Sequence, residues 1–176
     1  MAEQHGLIHL YYGDGKGKTT AAFGLALRCA GRGQRVVIAQ FLKSGTSGEL
    51  AAAARLSGLV LIPARGSGKF TFRMNDAEKE KAAQGCLAVF QDAAALVRDQ
   101  PARLLVLDEV IDACRGFLPM ETLTSFLDAK PEGLEVVLTG HSCPKELADR
   151  AAYISHIVKE KHPYDQGIPA RPDIEF

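Results

Sequence analysis

The chain has 176 residues, of which 47% are hydrophobic, and its 21 Lys and Arg side chains balance its 21 Asp and Glu side chains. This composition is typical of one compact domain and excludes a general electrostatic attraction to nucleic acids or anionic membranes. No apolar run approaches the roughly 20 residues that span a bilayer, and the opening MAEQHGLIHL has no signal-peptide pattern. We therefore expect a cytoplasmic protein that binds any anion at a local site.

Short apolar runs rich in β-formers alternate with helical patterns along the chain. Strands are predicted at residues 7–12, 35–40, 59–62, 104–107, 135–139 and 154–158. A helix is predicted over residues 76–98, and Asn75 with Glu78 resembles a capping box at its start. The side chains expected on the buried face of that helix are Ala82, Cys86, Phe90, Ala93 and Val97. Continuous apolar strands that alternate with helices predict an α/β fold with a mainly parallel central sheet flanked by helices.

Ligands of parallel sheets bind outside the carboxyl ends of the strands, so the residues that follow each strand are the candidates for a site. After the first strand comes GDGKGKTT, residues 13–20, whose glycines can turn tightly and present N–H groups to phosphate. Lys18 adds a positive charge and Thr19 a hydroxyl for Mg²⁺. Strand, loop, GKT and helix occur in the order of a P-loop NTPase (RecA-like) domain, although Tyr12 stands where such a loop usually has its first glycine.

We predict nucleotide binding by this loop and by polar residues at or after the ends of two other strands. The predicted residues are Gly13, Asp14, Gly15, Lys16, Gly17, Lys18, Thr19, Thr20, Gln40, Lys43 and His141. A structural role as a polar residue that ends a strand is an equally good interpretation of His141.

The stretch RLLVLDEV places Asp108 and Glu109 at the carboxyl end of an apolar strand, where a carboxylate can hold Mg²⁺ directly or through water. Thr19, Asp108 and Glu109 are therefore the predicted metal ligands. The alternative is an acidic helix cap after a buried strand, because Asp is a favoured N-cap residue. The four cysteines contain no CxxC pair, which argues against a zinc site.

These residues alone leave three functions open. One is a P-loop kinase or ATPase that acts on a small molecule, with Glu109 orienting a nucleophile. Another is a non-catalytic nucleotide-dependent binding module that needs ATP only to order its loops. The third is a group transfer from ATP, which the following resemblance favours.

Several stretches resemble the P-loop type of ATP:corrinoid adenosyltransferase. They are GDGKGKTTAAFGLALR, VVIAQFLK, GSGKFTF, LLVLDEV, VVLTGHSCPKELADRA and the tail KHPYDQGIPARPDIEF, which together run over residues 13–176. The tail is the most specific of them, because it is not a feature expected of other P-loop ATPases. In this family the loop has the short GxGKGKT form, which accounts for Tyr12, and ATP is bound in the reverse orientation to that of ordinary P-loop enzymes.

The resemblance implies that cob(I)alamin or a precursor attacks the 5′-carbon of ATP and that triphosphate leaves. It also implies Mg²⁺, an electron-donating reductase and a homodimer. No catalytic base is needed, so catalysis would consist of positioning and charge neutralisation by Lys18, Thr19, Glu109 and the loop. The family has a basic residue where His141 stands, and Lys69 looks inserted in the GSGKFTF stretch.

Phe70 and Phe72 of GSGKFTF are predicted to face the corrinoid, because the matching family aromatics lie near it. The alternative is that both rings enter the core. The whole chain, 1–176, is predicted to form one domain with residues 160–176 as a tail packed on it through Tyr164, Ile168, Ile174 and Phe176. The alternative for this tail is a disordered end. Asp165 or Lys161 of this tail is expected to reach the site.

Overall fold

The computed structural model describes residues 5–43, 48–53, 55–65, 74–171 and 174. The strands are β1 Ile8–Tyr12, β2 Val36–Gln40, β3 Leu59–Ile62, β4 Leu104–Asp108, β5 Glu135–Gly140 and β6 Tyr153–His156. The helices are α1 Lys18–Ala30, α2 Gly48–Ala53, α3 Asp76–Asp99, α4 Val110–Ala113, α5 Met120–Asp128 and α6 Lys145–Ala148. These bounds confirm every predicted strand to within two residues, and they confirm the single-domain α/β fold.

The strands form one sheet in the order β3-β2-β4-β5-β1-β6, in which every neighbouring pair is parallel. The register aligns Gln40 with Asp108 and Tyr12 with Gly140, so the carboxyl ends of β2, β4, β5 and β1 meet along one edge. All the residues of β2 and β4 are buried, as expected for strands covered on both faces. The sheet therefore brings four loop beginnings together at the edge where nucleotides bind in such folds.

The core lies on both faces of the sheet. On one face, Ala22 and Ala26 of α1 belong to a small cluster with apolar side chains of β2, β4 and β5. On the other face, α3, α4 and α5 cover a larger cluster that includes Phe90 and Phe126, whose rings meet edge to face at 5.6 Å. Small alanines on α1 let this helix lie close to the sheet, which fixes the position of the loop that precedes it.

Helix α3 begins as the sequence predicts. The Asn75 side chain accepts a hydrogen bond from the Glu78 N–H at 2.9 Å, and the Glu78 carboxylate accepts one from the Asn75 N–H at 3.0 Å. This reciprocal pair is a capping box. The predicted apolar face of the helix, from Ala82 to Val97, is buried against the sheet.

Strand β6 forms an exposed edge of the sheet, and the chain after it does not pack as expected. Tyr164, Ile168 and Ile174 are 74%, 44% and 56% exposed, so the prediction that they pack on the domain is wrong for these described side chains. Asp165 pairs with Lys159 at 3.0 Å within the same segment. A short 3₁₀ turn, Pro163–Gln166, gives this segment its shape through its own backbone rather than through apolar burial.

Among the helices in the described part of the chain, none combines the length and the apolar character that crossing a bilayer requires.

Replacing Asn75 with Ala should lower the free energy of unfolding by about 1 kcal/mol, because the Glu78 N–H loses its acceptor. Urea denaturation followed by circular dichroism measures this change. Asn75→Ser is the matched control, since its hydroxyl can still accept that bond, and it should stay close to wild type. Equal stability of the Ala variant and wild type would contradict a capping role.

Candidate nucleotide site

The glycine-rich loop between β1 and α1 lies directly against the backbone that follows β6. A Cβ at Gly13 would lie 2.2 Å from the Ile157 carbonyl oxygen, and one at Gly15 would lie 2.8 Å from it. The Gly15 N–H donates to that same carbonyl at 2.9 Å. These two glycines therefore allow a close backbone approach as well as a tight turn.

Tyr12 stands where an ordinary phosphate loop has a glycine, and it has a structural role here. Its ring stacks on His156 with centroids 4.5 Å apart and planes inclined by 3°. The two residues are register partners on β1 and β6. The stack thus joins the entry of the loop to the end of the edge strand.

The loop ends at Gly17, whose φ of 122° is a conformation that side chains disfavour, and α1 begins at Lys18. The Lys18 ammonium donates to the Gly15 carbonyl at 2.8 Å, so it lies over the loop. Asp14 accepts a hydrogen bond from the Lys159 N–H at 3.0 Å, and this bond lowers the pKa of the Asp14 carboxyl. The loop is therefore held on its outer side by the segment after β6.

Asp108, at the end of β4, is fully buried and accepts four hydrogen bonds. Its Oδ1 accepts from the hydroxyls of Thr19 at 3.0 Å and Thr139 at 2.8 Å. Its Oδ2 accepts from the Lys43 ammonium at 2.8 Å and the Gln40 amide at 3.3 Å. The Lys43 ammonium also donates to the Thr19 hydroxyl at 3.0 Å. Predicted residues from α1, β2 and β4 thus meet at one carboxylate.

Glu109 follows Asp108 in a left-handed conformation with φ 64° and makes no side-chain capping bond to α4. Its N–H donates to the Thr139 hydroxyl at 2.8 Å, which fixes the turn. Burial, followed by the negative charge of Asp108, raises the pKa of the Glu109 carboxyl. The capping alternative therefore fails for both acidic residues, since Asp108 bonds to groups of other elements and Glu109 caps nothing.

His141 lies at the same edge and pairs with Asp112, a residue of α4. Its Nδ1 is 2.8 Å from the Asp112 Oδ2, and its backbone N–H donates to the same oxygen at 3.1 Å. The His141 side chain is 61% exposed, whereas that of Asp112 is only 14% exposed. This arrangement leaves the imidazole at the rim of the site and orients it by a carboxylate.

Carboxylates surround Lys18. Burial lowers the pKa of its ammonium, and the charges of Asp112, Asp14, Glu109 and Asp108 act in the opposite direction. A desolvated ammonium in a site of this kind gains most from an anion brought close to it. The loop, the start of α1 and Lys18 thus place N–H donors and a positive charge together at one edge of a chain with no net charge.

Sequence reasoning missed Thr139 and Asp112. Thr139 lies near the end of a strand that neighbours β4, and Asp112 lies in the short helix α4, four residues after Asp108. Both signals are weak without knowledge of the strand order. Lys16 and Thr20 are exposed, and Thr20 lines a mainly apolar cavity of about 280 Å³ between α1, α2 and β3. Phe70 and Phe72, and Lys69 with them, lie outside the described residues.

The oxygen atoms of this site suit Mg²⁺. Thr19 and Asp108 supply a hydroxyl and a carboxylate, which are the hard oxygen ligands that Mg²⁺ prefers. The Gln40 Oε1 atom is buried and has no hydrogen-bond partner among the described residues. No group of three or more His, Cys, Asp or Glu side chains that could hold a metal ion occurs in the described ranges. The residues present therefore fit a Mg²⁺ ion that takes its other ligands from phosphate and water.

Comparison with known proteins gives a family match over nearly the whole chain. The family model described as ATP:corrinoid adenosyltransferase BtuR/CobO/CobP matches residues 4–176. The chain belongs to this family. The resemblance drawn from the loop, the strand ends and the tail is thus confirmed over nearly the whole sequence, and the protein is a transferase of the adenosyl type.

Curated relatives agree with the family assignment. The corrinoid adenosyltransferase CobA of Salmonella typhimurium is 35% identical over 99% of this chain and 87% of its own. The corrinoid adenosyltransferases of Escherichia coli K12 and Pseudomonas aeruginosa are 32% and 31% identical over 99% of this chain and 87% and 85% of theirs. These relatives support the same reaction class as the family model.

In the metal-free protein, the Glu109→Gln variant should become increasingly more stable than wild type as the pH rises above 4.5, the ordinary pKa of a glutamate side chain. The folded state holds the Glu109 proton more tightly than the unfolded state does, so ionising this carboxyl costs stability with rising pH. Thermal unfolding in EDTA, from pH 4.5 to about pH 8, measures the trend. Glu121→Gln, at an exposed position of α5, is the control; a difference that does not grow with pH would contradict the buried placement of Glu109.

Proposed function

We propose that the protein binds Mg-ATP at the loop edge and transfers the 5′-deoxyadenosyl group to the cobalt of a reduced corrinoid, cobalamin or a precursor. The observation that carries this proposal is the meeting of Lys18, Thr19 and Asp108 at one edge of the sheet in a member of this family. Family membership supplies the reaction class, and the geometry supports the assignment of the residues.

The proposed step is a displacement at the 5′-carbon of ATP. The electron pair of Co(I) forms the cobalt–carbon bond, the bond between that carbon and the triphosphate oxygen breaks, and its electron pair leaves with triphosphate. No proton moves, so a catalytic base is not required. The protein has to hold the reactants in line and neutralise the charge that develops on the leaving group.

In this proposal the loop, residues 13–17, and the N-terminal end of α1 bind the triphosphate with Lys18 and Thr19. Asp108 would hold Mg²⁺ together with Thr19. Glu109, which follows Asp108 directly in the chain, would hold one of the water molecules bound to the ion. The ion supplies positive charge to the leaving triphosphate. Gln40, Lys43 and His141 are proposed to line the same site, with His141 oriented by Asp112.

We further propose that Phe70 and Phe72 cover one face of the corrinoid. A cobalt(II) centre with an axial water is hard to reduce, because the axial lone pair raises the energy of the orbital that must accept the electron. A phenyl ring offers no lone pair and excludes water from that face. These rings would therefore favour reduction without taking part in the displacement.

The remaining partners stay predictions: a separate reductase that delivers the electron, a homodimer and a cytoplasmic location. The exposed edge supports self-association, since Tyr153, Ile154 and Val158 leave 53%, 48% and 57% of their surface open to solvent. The extent of the domain over all of residues 1–176 likewise stays a proposal.

An anaerobic assay with Mg-ATP and pre-reduced cobalamin tests the reaction. Triphosphate and a light-sensitive alkyl-cobalt spectrum are expected. Release of ADP would instead favour a kinase or ATPase, and binding of both ligands without a product would favour a non-catalytic module.

Lys18→Ala should weaken ATP binding by about 1.5–3 kcal/mol, which is the usual value of a charge-assisted hydrogen bond, and should nearly abolish turnover. Calorimetric titration of ATP and the anaerobic assay measure the two effects. Lys79→Ala, at an exposed position of α3, is the control and should match wild type. Normal affinity and rate in Lys18→Ala would remove this lysine from the phosphate site.

Phe72→Ala and Phe70→Ala should each lose most activity when the assay starts from cob(II)alamin and a protein reductant. Both variants should keep much of it from pre-formed cob(I)alamin, because only the reduction depends on the rings. Parallel assays from the two starting states measure the difference. Equal losses in both assays would indicate a packing or docking role instead.

A further inference from the structure

We propose that the Lys43 ammonium occupies the position of the metal ion in the nucleotide-free site and keeps free Mg²⁺ out until nucleotide arrives. This inference rests on the proposed function, because it concerns the same Mg-ATP site. It starts from the location of Lys43, whose Nζ lies 2.8 Å from the Asp108 Oδ2 and 3.0 Å from the Thr19 hydroxyl oxygen. These two oxygens are the ones best suited to Mg²⁺.

The hydrogen bonds of Asp108 leave no open position for an additional cation. A carboxylate has about four lone-pair sites, and here each is used by Thr19, Thr139, Gln40 or Lys43. A metal ion that binds Asp108 directly at about 2.1 Å must therefore replace one of these donors.

Lys43 is the donor that can leave. Gln40 is fully buried and Thr139 is 1% exposed, and both belong to strands of the sheet. Lys43 belongs to the turn after β2, and its side chain is 20% exposed. Its long, flexible side chain can move without any change in the sheet, whereas the other buried donors cannot.

Charge also makes Lys43 and the metal mutually exclusive. The Lys43 ammonium and a divalent ion bound to the same two oxygens would repel one another in a partly desolvated site. Without a metal, the ammonium balances a carboxylate that would otherwise be buried and unpaired. Mg²⁺ loses its water reluctantly, so it competes poorly until the phosphates of ATP supply further ligands.

The expected behaviour is that metal enters with nucleotide and not before it. Free Mg²⁺ is excluded, and displacement of Lys43 releases its positive charge beside the phosphates as they bind. Lys43 therefore controls when the metal ion can bind and is not itself a ligand of the metal.

Titration of nucleotide-free protein with Mn²⁺, followed by electron paramagnetic resonance, tests the proposal with no ATP or corrinoid present. Wild type should bind Mn²⁺ at Asp108 only weakly, whereas Lys43→Met should bind it there at least about fivefold more tightly, the lower end of the usual coupling between two binding events. Adding Asp108→Asn to Lys43→Met should remove that site. Lys145→Met, on α6, is the matched control and should behave as wild type.

Thermal unfolding provides a second readout. Lys43→Met should melt at a lower temperature than wild type in EDTA, and Mn²⁺ should restore its stability without stabilising wild type. If Lys43→Met does not fold, Lys43→Gln, which keeps a neutral donor for Asp108, provides the same comparison.

The proposal would be overturned if wild type bound Mn²⁺ as tightly as the Lys43 variants do and Asp108→Asn lost that site. It would also be overturned if the Lys43 variants showed no gain of Mn²⁺ binding. Either would leave adenosyl transfer untouched, because the titration contains no substrate. Release of ADP in the product assay, conversely, would overturn the proposed reaction and leave the Mn²⁺ result standing.

Discussion

The site depends on one buried charge, the carboxylate of Asp108. It receives donors from α1, β2, the turn after β2, and β5, so it joins four separate parts of the chain at the ligand edge. Removing a partner of a buried charge typically costs about 3–5 kcal/mol, because the charge is left uncompensated. The same interactions that make Asp108 tolerable in the core therefore hold Thr19 and Lys43 in defined positions at this edge.

The loop has a comparable double role. Gly13 and Gly15 fit against the Ile157 carbonyl, Tyr12 stacks on His156, and Asp14 binds the Lys159 N–H. The shape of the loop is therefore set from outside by the edge strand and the segment after it, and not only by its own glycines. This explains how a loop without the usual first glycine keeps a defined conformation.

The sequence was sufficient to predict the strands, the α3 capping box and the loop, because each has a local signal. These signals are an apolar run for each strand, a pair of capping residues for the helix and the spacing of the glycines for the loop. It also identified Asp108 and Lys43, since both follow apolar strands. Thr139 and Asp112 were not found, because their roles come from the strand order that places β5 between β4 and β1. The exposed tail was predicted to pack because its apolar residues suggest burial, yet burial needs a complementary surface that a linear pattern does not reveal.

The strand order also governs when the site can form during folding. β1 is made first, but its partners are β5 and β6, so its register with Val136 joins residues 128 positions apart, counting 136 minus 8. Non-local parallel pairs of this kind form slowly, because the closure of a long loop precedes any gain from the contacts. The phosphate loop, although near the amino terminus, acquires its shape only after β6 has been synthesised. A nascent chain that ends before β5 would have the GKT motif but neither the strands that pair with β1 nor the backbone against which the loop lies.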